Sequence, residues 1–187
     1  MTVDSTKDRE TLIKSTIRRR TYRAIYRLLD RVSPVDYDCG TLCQAACCVI
    51  PNEEDAEMGI YLLPGEDKIH DRQSEGFRWT EESTEDFEFP ESWSGKVFFL
   101  HCLKSPHCQR SMRPIQCRTF PILPHITEDA ELIMIYDDTD VPYRCPLIED
   151  ELPLNDDFVK ATHTVWKHLI RDPLIYDLVK EDSEARY

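Results

Sequence analysis

Cys39, Cys43, Cys47 and Cys48 fall within ten residues of "DCGTLCQAACCVIPN", and Cys102, Cys108, Cys117 and Cys145 follow. Eight thiols in 187 residues limit what the chain can become. They must end as disulfides, as small buried hydrophobes or as metal ligands. The N-terminal residues hold no apolar segment of the roughly 7–15 residues that a secretory signal needs, which predicts a cytoplasmic protein with reduced thiols. In that setting clustered cysteines point to metal. The hydrophobe reading suits one or two of the eight, Cys145 first.

The spacing of the first cluster is i, i+4, i+8 for Cys39, Cys43 and Cys47. On a helix these thiols would share one face, drifting about 40° per step, with Cys48 turned roughly 100° away. Asp38 is the expected cap of that helix. Two neighbouring cysteines pointing apart suit two ligand sets or two corners of one cluster. In either case the set is completed from the second group of cysteines.

Charge supports the same reading. The chain carries a net charge of −13, yet residues 92–127 hold no Asp or Glu and residues 39–52 hold no charged side chain. The acid-free stretch contains Arg113 and Arg118, and Arg144 directly precedes Cys145. Cations of this kind offset the negative charge of a thiolate-bound metal, so all three arginines are expected to support the centre. Thiolate-only ligation fits a 4Fe–4S iron–sulfur cluster, favoured here, or Zn²⁺ or iron ions. His101 and His107, beside Cys102 and Cys108, read as supporting or surface residues.

"CGTLCQAACC", "GIYLLPGE" and "HCLKSPHCQRSMRPIQCRTFPILP" together resemble the CxxCxxCC (YkgJ-like) family of zinc- or iron-chelating proteins. The resemblance runs from about Cys39 to Cys145 and implies metal ligation by Cys39, Cys43, Cys47, Cys48, Cys108 and Cys117, with Cys102 and Cys145 as further ligands. The family spaces its first cysteines by two residues; here the spacing is three and three. A similar cysteine region occurs in flagellin lysine methylases, which are associated with an iron–sulfur cluster. That likeness makes an accessory role in protein methylation one alternative.

The remaining chain predicts a single α+β domain with a small antiparallel sheet and flanking helices. Ile13, Ile17, Ile25, Leu28, Leu29 and Val32 recur at helical spacing, predicting a long N-terminal helix over 8–32. Residues 1–35 form a basic amphipathic unit, with nine Lys/Arg against four Asp/Glu, ahead of a cysteine-cluster domain over 36–187. The basic face is either a solvated face docked on the acidic body or a surface for a protein partner. Strands are expected at 76–83, 96–102 and 131–137, a short helical stretch from 63 to 73, and helices over 155–172 and from Pro173.

Several classes are excluded. The net charge of −13 disfavours nucleic acid. No apolar run approaches the roughly 20 residues of a membrane span. There is no phosphate-cradling glycine loop, no G-x-S-x-G elbow, no C-x3-C-x2-C radical motif and no EF-hand spacing. A protein for redox work, electron transfer or metal handling remains, with a zinc-stapled interaction module as the alternative.

Overall fold

In the computed structural model, which describes residues 12–49, 58–137 and 143–186, the apolar run Lys96–Cys102 is the centre of an antiparallel sheet. This strand, β3, lies between β1 (Gly59–Tyr61) and β2 (Phe77–Ser83). The register sets Phe77 opposite Cys102 and Trp79 opposite Leu100. Val97, Phe98 and Leu100 are buried, as expected for a β-branched and aromatic strand between two partners. A second antiparallel pair joins β4 (Ile122–Ile126) to β5 (Leu132–Tyr136). β1 and β4 are too short and too interrupted, by Gly59 and Pro124, to stand out in the sequence.

Among the described residues, six helices surround the sheets: α1 (Arg19–Leu29), α2 (Gly40–Cys43), α3 (Ile115–Thr119), α4 (Pro146–Glu149), α5 (Asp156–Leu169) and α6 (Pro173–Glu184). α5 follows the expected stripe, burying Phe158, Val165, Trp166 and Leu169 against α1 and the β4–β5 pair. Tyr22, Ile25 and Leu29 of α1 complete this core, with Ile175 and Val179 of α6. The α+β class and the single domain are as the sequence predicts. Among the described residues no helix is long and apolar enough to cross a membrane.

The first helix is shorter than the periodicity predicts. Residues 8–11 lie outside the described residues, and 12–18 are not helical. Ile13 donates its N–H to the Lys96 carbonyl (3.2 Å), so the chain runs along β3 instead. Ser15 Oγ, Thr16 N and Thr16 Oγ1 then donate to the fully buried Asp172 carboxylate at 2.9, 2.6 and 2.7 Å. A buried carboxylate demands such donors, and Ser and Thr compete with helix formation by supplying them. Asp172 also caps α6 through Leu174 N (3.1 Å). The expected stretch from 63 to 73 shrinks to a 3-10 turn at Glu66–Lys68, after Gly65 at φ 84°.

Candidate metal centre

The first thiol group is built on a broken helix. Asp38 Oδ1 accepts from Gly40 N (3.0 Å), but the N-cap of α2 is Cys39 rather than Asp38, and the helix ends at Cys43 after one turn. Gln44 and Ala45 both adopt left-handed backbone, each at φ 55°, and Ala46–Cys48 then forms a 3-10 turn. The single helical face expected for Cys39, Cys43 and Cys47 therefore does not exist. Two left-handed residues reverse the chain over itself, and Cys39, Cys43 and Cys47 still line one cleft. Cys145 joins them there from the N-cap of α4. Each left-handed non-glycine residue costs on the order of 1 kcal/mol.

The second group converges from three other places. Cys102 ends β3, held by its N–H to the Met58 carbonyl (2.6 Å). Cys108 follows the turn after that strand, with its carbonyl accepting from Arg113 Nη2 (3.3 Å). Cys117 sits within α3, whose first free N–H, at Ile115, donates to the buried Glu66 carboxylate (2.8 Å). Ser105 Oγ donates to the Cys48 carbonyl, tying the second group to the first. Cys48, Cys102, Cys108 and Cys117 line a second cleft of about 290 Å³, against about 30 Å³ for the first. The smaller cleft has room for a water or two, the larger for far more. Cys47 and Cys48 edge both clefts, and their sulfurs lie 4.0 Å apart.

The electrostatic neighbours divide the thiols in the same way. Burial raises the Cys39 and Cys145 thiols, and in each case Cys43 adds to the rise. The N–H groups of Leu147 and Ile148 partly offset the effect at Cys145. Cys47 is raised by its S–H bond to Cys48, then by burial, and also feels Cys39 and Cys43. Cys48 is lowered by the same sulfur contact, in which either thiol can donate, with help from Arg113 against burial. Burial pushes Cys102 up to about 11, with Cys108 and Cys48 adding to it. Cys117 is raised by burial, then by Cys102, Cys48 and Cys108. Cys39, Cys43 and Cys145 thus group on one side and Cys102, Cys108 and Cys117 on the other, with the Cys47–Cys48 pair, each the other's strongest neighbour, between them.

All eight thiols are free, and among the described residues no three His, Cys, Asp or Glu side chains already stand close enough to hold an ion. The donor set nonetheless fits a thiophilic metal, and so does the cation beside it. Arg113 lines both clefts, and its buried Nε has no hydrogen-bond partner among the described residues. Burial works against the Arg113 cation, but the bond to Cys108 and the Cys108 and Cys48 charges more than offset it, so its pKa rises. An anionic thiolate centre would add to the negative charge that already favours this guanidinium and could accept from its free Nε.

The other two expected arginines face elsewhere. Arg118 is fully buried, donating to Asp30 Oδ1 (2.6 Å), the Arg113 carbonyl (2.6 Å) and the Ser111 carbonyl (2.5 Å), with its carbon 4.2 Å from the Tyr26 ring centre. It braces the 110–118 segment from behind. Arg144 is exposed and pairs with Glu149 (2.9 Å) and Asp150. A neighbouring position in sequence does not fix direction, and the local acids at 149 and 150 capture this side chain. His101 bonds Thr80 Oγ1 (3.1 Å), and His107 is exposed.

Two residues, Tyr143 and Glu66, carry no signal in the sequence, and a third, Arg110, counts there only as one more cation. Arg110 donates to the Val32 carbonyl (2.8 Å) and attracts the Cys39 thiolate. Tyr143 lines both clefts. Glu66 accepts from Tyr26 Oη (2.5 Å), Ile115 N (2.8 Å) and Leu63 N (3.2 Å), fixing the start of the Cys117 helix. Only Arg110 carried a signal, as one of the cations in the acid-free stretch. No family model, curated protein or solved structure matches this chain.

Proposed function

We propose that this protein holds two thiolate-ligated metal centres side by side and works in electron transfer, redox sensing or metal handling. The observation that supports the reading is a pair of clefts that meet at Cys47 and Cys48, one also lined by Cys39, Cys43 and Cys145 and the other by Cys102, Cys108 and Cys117; the reading gives Cys47 to the first and Cys48 to the second. The cleft of about 290 Å³ suits an iron–sulfur cluster held by Cys48, Cys102, Cys108 and Cys117. The cleft of about 30 Å³ suits a single zinc or iron ion held by Cys39, Cys43, Cys47 and Cys145. A bound cluster supplies one-electron chemistry; the chain supplies thiolates, the Arg113 charge and a largely apolar wall. Anaerobic purification with metal analysis and a visible spectrum tests this. Stoichiometric iron with charge-transfer absorption is expected; a colourless protein without stoichiometric iron or zinc overturns it.

A second reading, a zinc-stapled interaction module, is favoured by one observation. Arg18, Arg19, Arg20, Arg23, Arg27 and Arg31 are exposed, and among the described residues none forms an ion pair. Such an exposed basic face fits an acidic protein partner. Partner binding that depends on Arg18–Arg20 and ignores redox state would favour this reading.

A further inference from the structure

Beside the larger thiol cleft lies a second cavity of about 340 Å³, sharing the wall made by Gly59, Ile60 and Gln116. Its sides are aromatic. Tyr61 meets Phe89 and Phe99 edge-on at 4.9 and 4.7 Å, and Phe89 stacks on Trp93 at 5.1 Å with 13° between the planes. The polar ends of the two larger rings are engaged elsewhere. Tyr61 Oη donates to Glu82 (2.6 Å) and Trp93 Nε1 to the Leu174 carbonyl (2.9 Å), so both present ring to the cavity. Gly59 lets Phe99 approach, because a Cβ there would fall 2.2 Å from that ring.

Two acceptors complete the lining. Gln116 Oε1 is buried with no hydrogen-bond partner among the described residues. The Asp182 carboxylate stands at the more exposed rim. Burial raises its pKa against the pull of Arg186, with Glu181 adding to the rise. An anion would be repelled by Asp182 and by the negative ring faces. A neutral apolar ligand would leave Gln116 Oε1 without a donor. A cation bearing N–H groups satisfies both acceptors and gains from the rings.

We propose that this cavity binds an alkylammonium group, such as the end of a lysine side chain or of a polyamine, through Tyr61, Phe89, Trp93, Phe99, Gln116 and Asp182. The cavity places such a group one wall away from the Cys48–Cys117 cleft, yet its binding does not depend on a metal being there.

The test is calorimetry with ligand-observed NMR on the full chain as isolated, using butylammonium, butyltrimethylammonium and, as a neutral control, 1-pentanol. Butylammonium is expected to bind about tenfold more tightly than 1-pentanol. Butyltrimethylammonium, which cannot donate to Gln116, is expected between them. Asp182→Asn and Phe89→Leu are each expected to weaken butylammonium several-fold while melting temperature and metal content stay unchanged. Equal binding of 1-pentanol, an unaffected Asp182→Asn variant, or no cation bound by the folded protein overturns the proposal. Metal content measured on the same samples keeps this outcome separate from the fate of the two-centre reading.

Discussion

Replacing Arg118 by Met separates scaffold from metal site. The side chain volume is roughly kept, while three hydrogen bonds and the contact with Tyr26 are lost. The bond to Asp30 is left out of the sum, because that carboxylate is 45% exposed and water can replace the lost donor. The larger loss is at the Arg113 and Ser111 carbonyls, which lose a charged donor within the part-buried segment that carries Cys117. Each carbonyl left unpaired costs about 1–3 kcal/mol, so the sum is roughly 4 kcal/mol. For a chain of this length each kcal/mol moves the melting point by about 2–4 °C, so a fall on the order of 12 °C is expected. The assay is thermal unfolding followed by circular dichroism, beside an Arg113→Met variant. Arg113→Met is expected to melt closer to the parent and to lose metal affinity, since its charge faces the thiol clefts. If Arg118→Met melts within about 2 °C of the parent, the bracing role assigned to it is wrong.

Other outcomes follow from the same geometry. Without metal, the folded chain keeps the Cys102 proton up to about pH 11, whereas the unfolded chain loses it near the ordinary 9.0. Proton uptake then favours the folded state less and less as pH rises between these values, so the metal-free protein is expected to lose stability there, and Cys102→Ser to lose less, in urea titrations. Ala45→Gly is expected to raise stability by about 0.5–1 kcal/mol in the same titrations, because it relieves a left-handed residue at φ 55°. Reversing Arg19, Arg20 and Arg23 to Glu is expected to leave metal content unchanged by elemental analysis, since these side chains are exposed on α1, away from both clefts.

The strands and helices with strong patterns were legible. "KVFFLHC" is β3 from end to end, and the Phe158–Leu169 stripe is α5, because burial there follows the period of the sequence. The start of α1 was not, since the rival interaction is a carboxylate at Asp172, more than 150 positions away. The same limit applied at the site. Cysteine counting named the thiols and the acid-free frame named Arg113. Spacing alone could not show the left-handed pair Gln44–Ala45, because these residues carry no turn signal of the Gly or Asn kind. Nor could it show that Arg118 and Arg144 turn away from the clefts, which depends on where Asp30, Glu149 and Asp150 arrive in space.

The central claim is that the chain divides its thiols between two centres at the Cys47–Cys48 bond. Metal stoichiometry and the visible and EPR spectra of Cys47→Ser and Cys48→Ser, each purified without oxygen, test it most directly. Cys48→Ser is expected to lose the cluster spectrum and keep the single ion, and Cys47→Ser to do the reverse. Identical losses in both variants, or a parent protein free of stoichiometric iron and zinc, would contradict it.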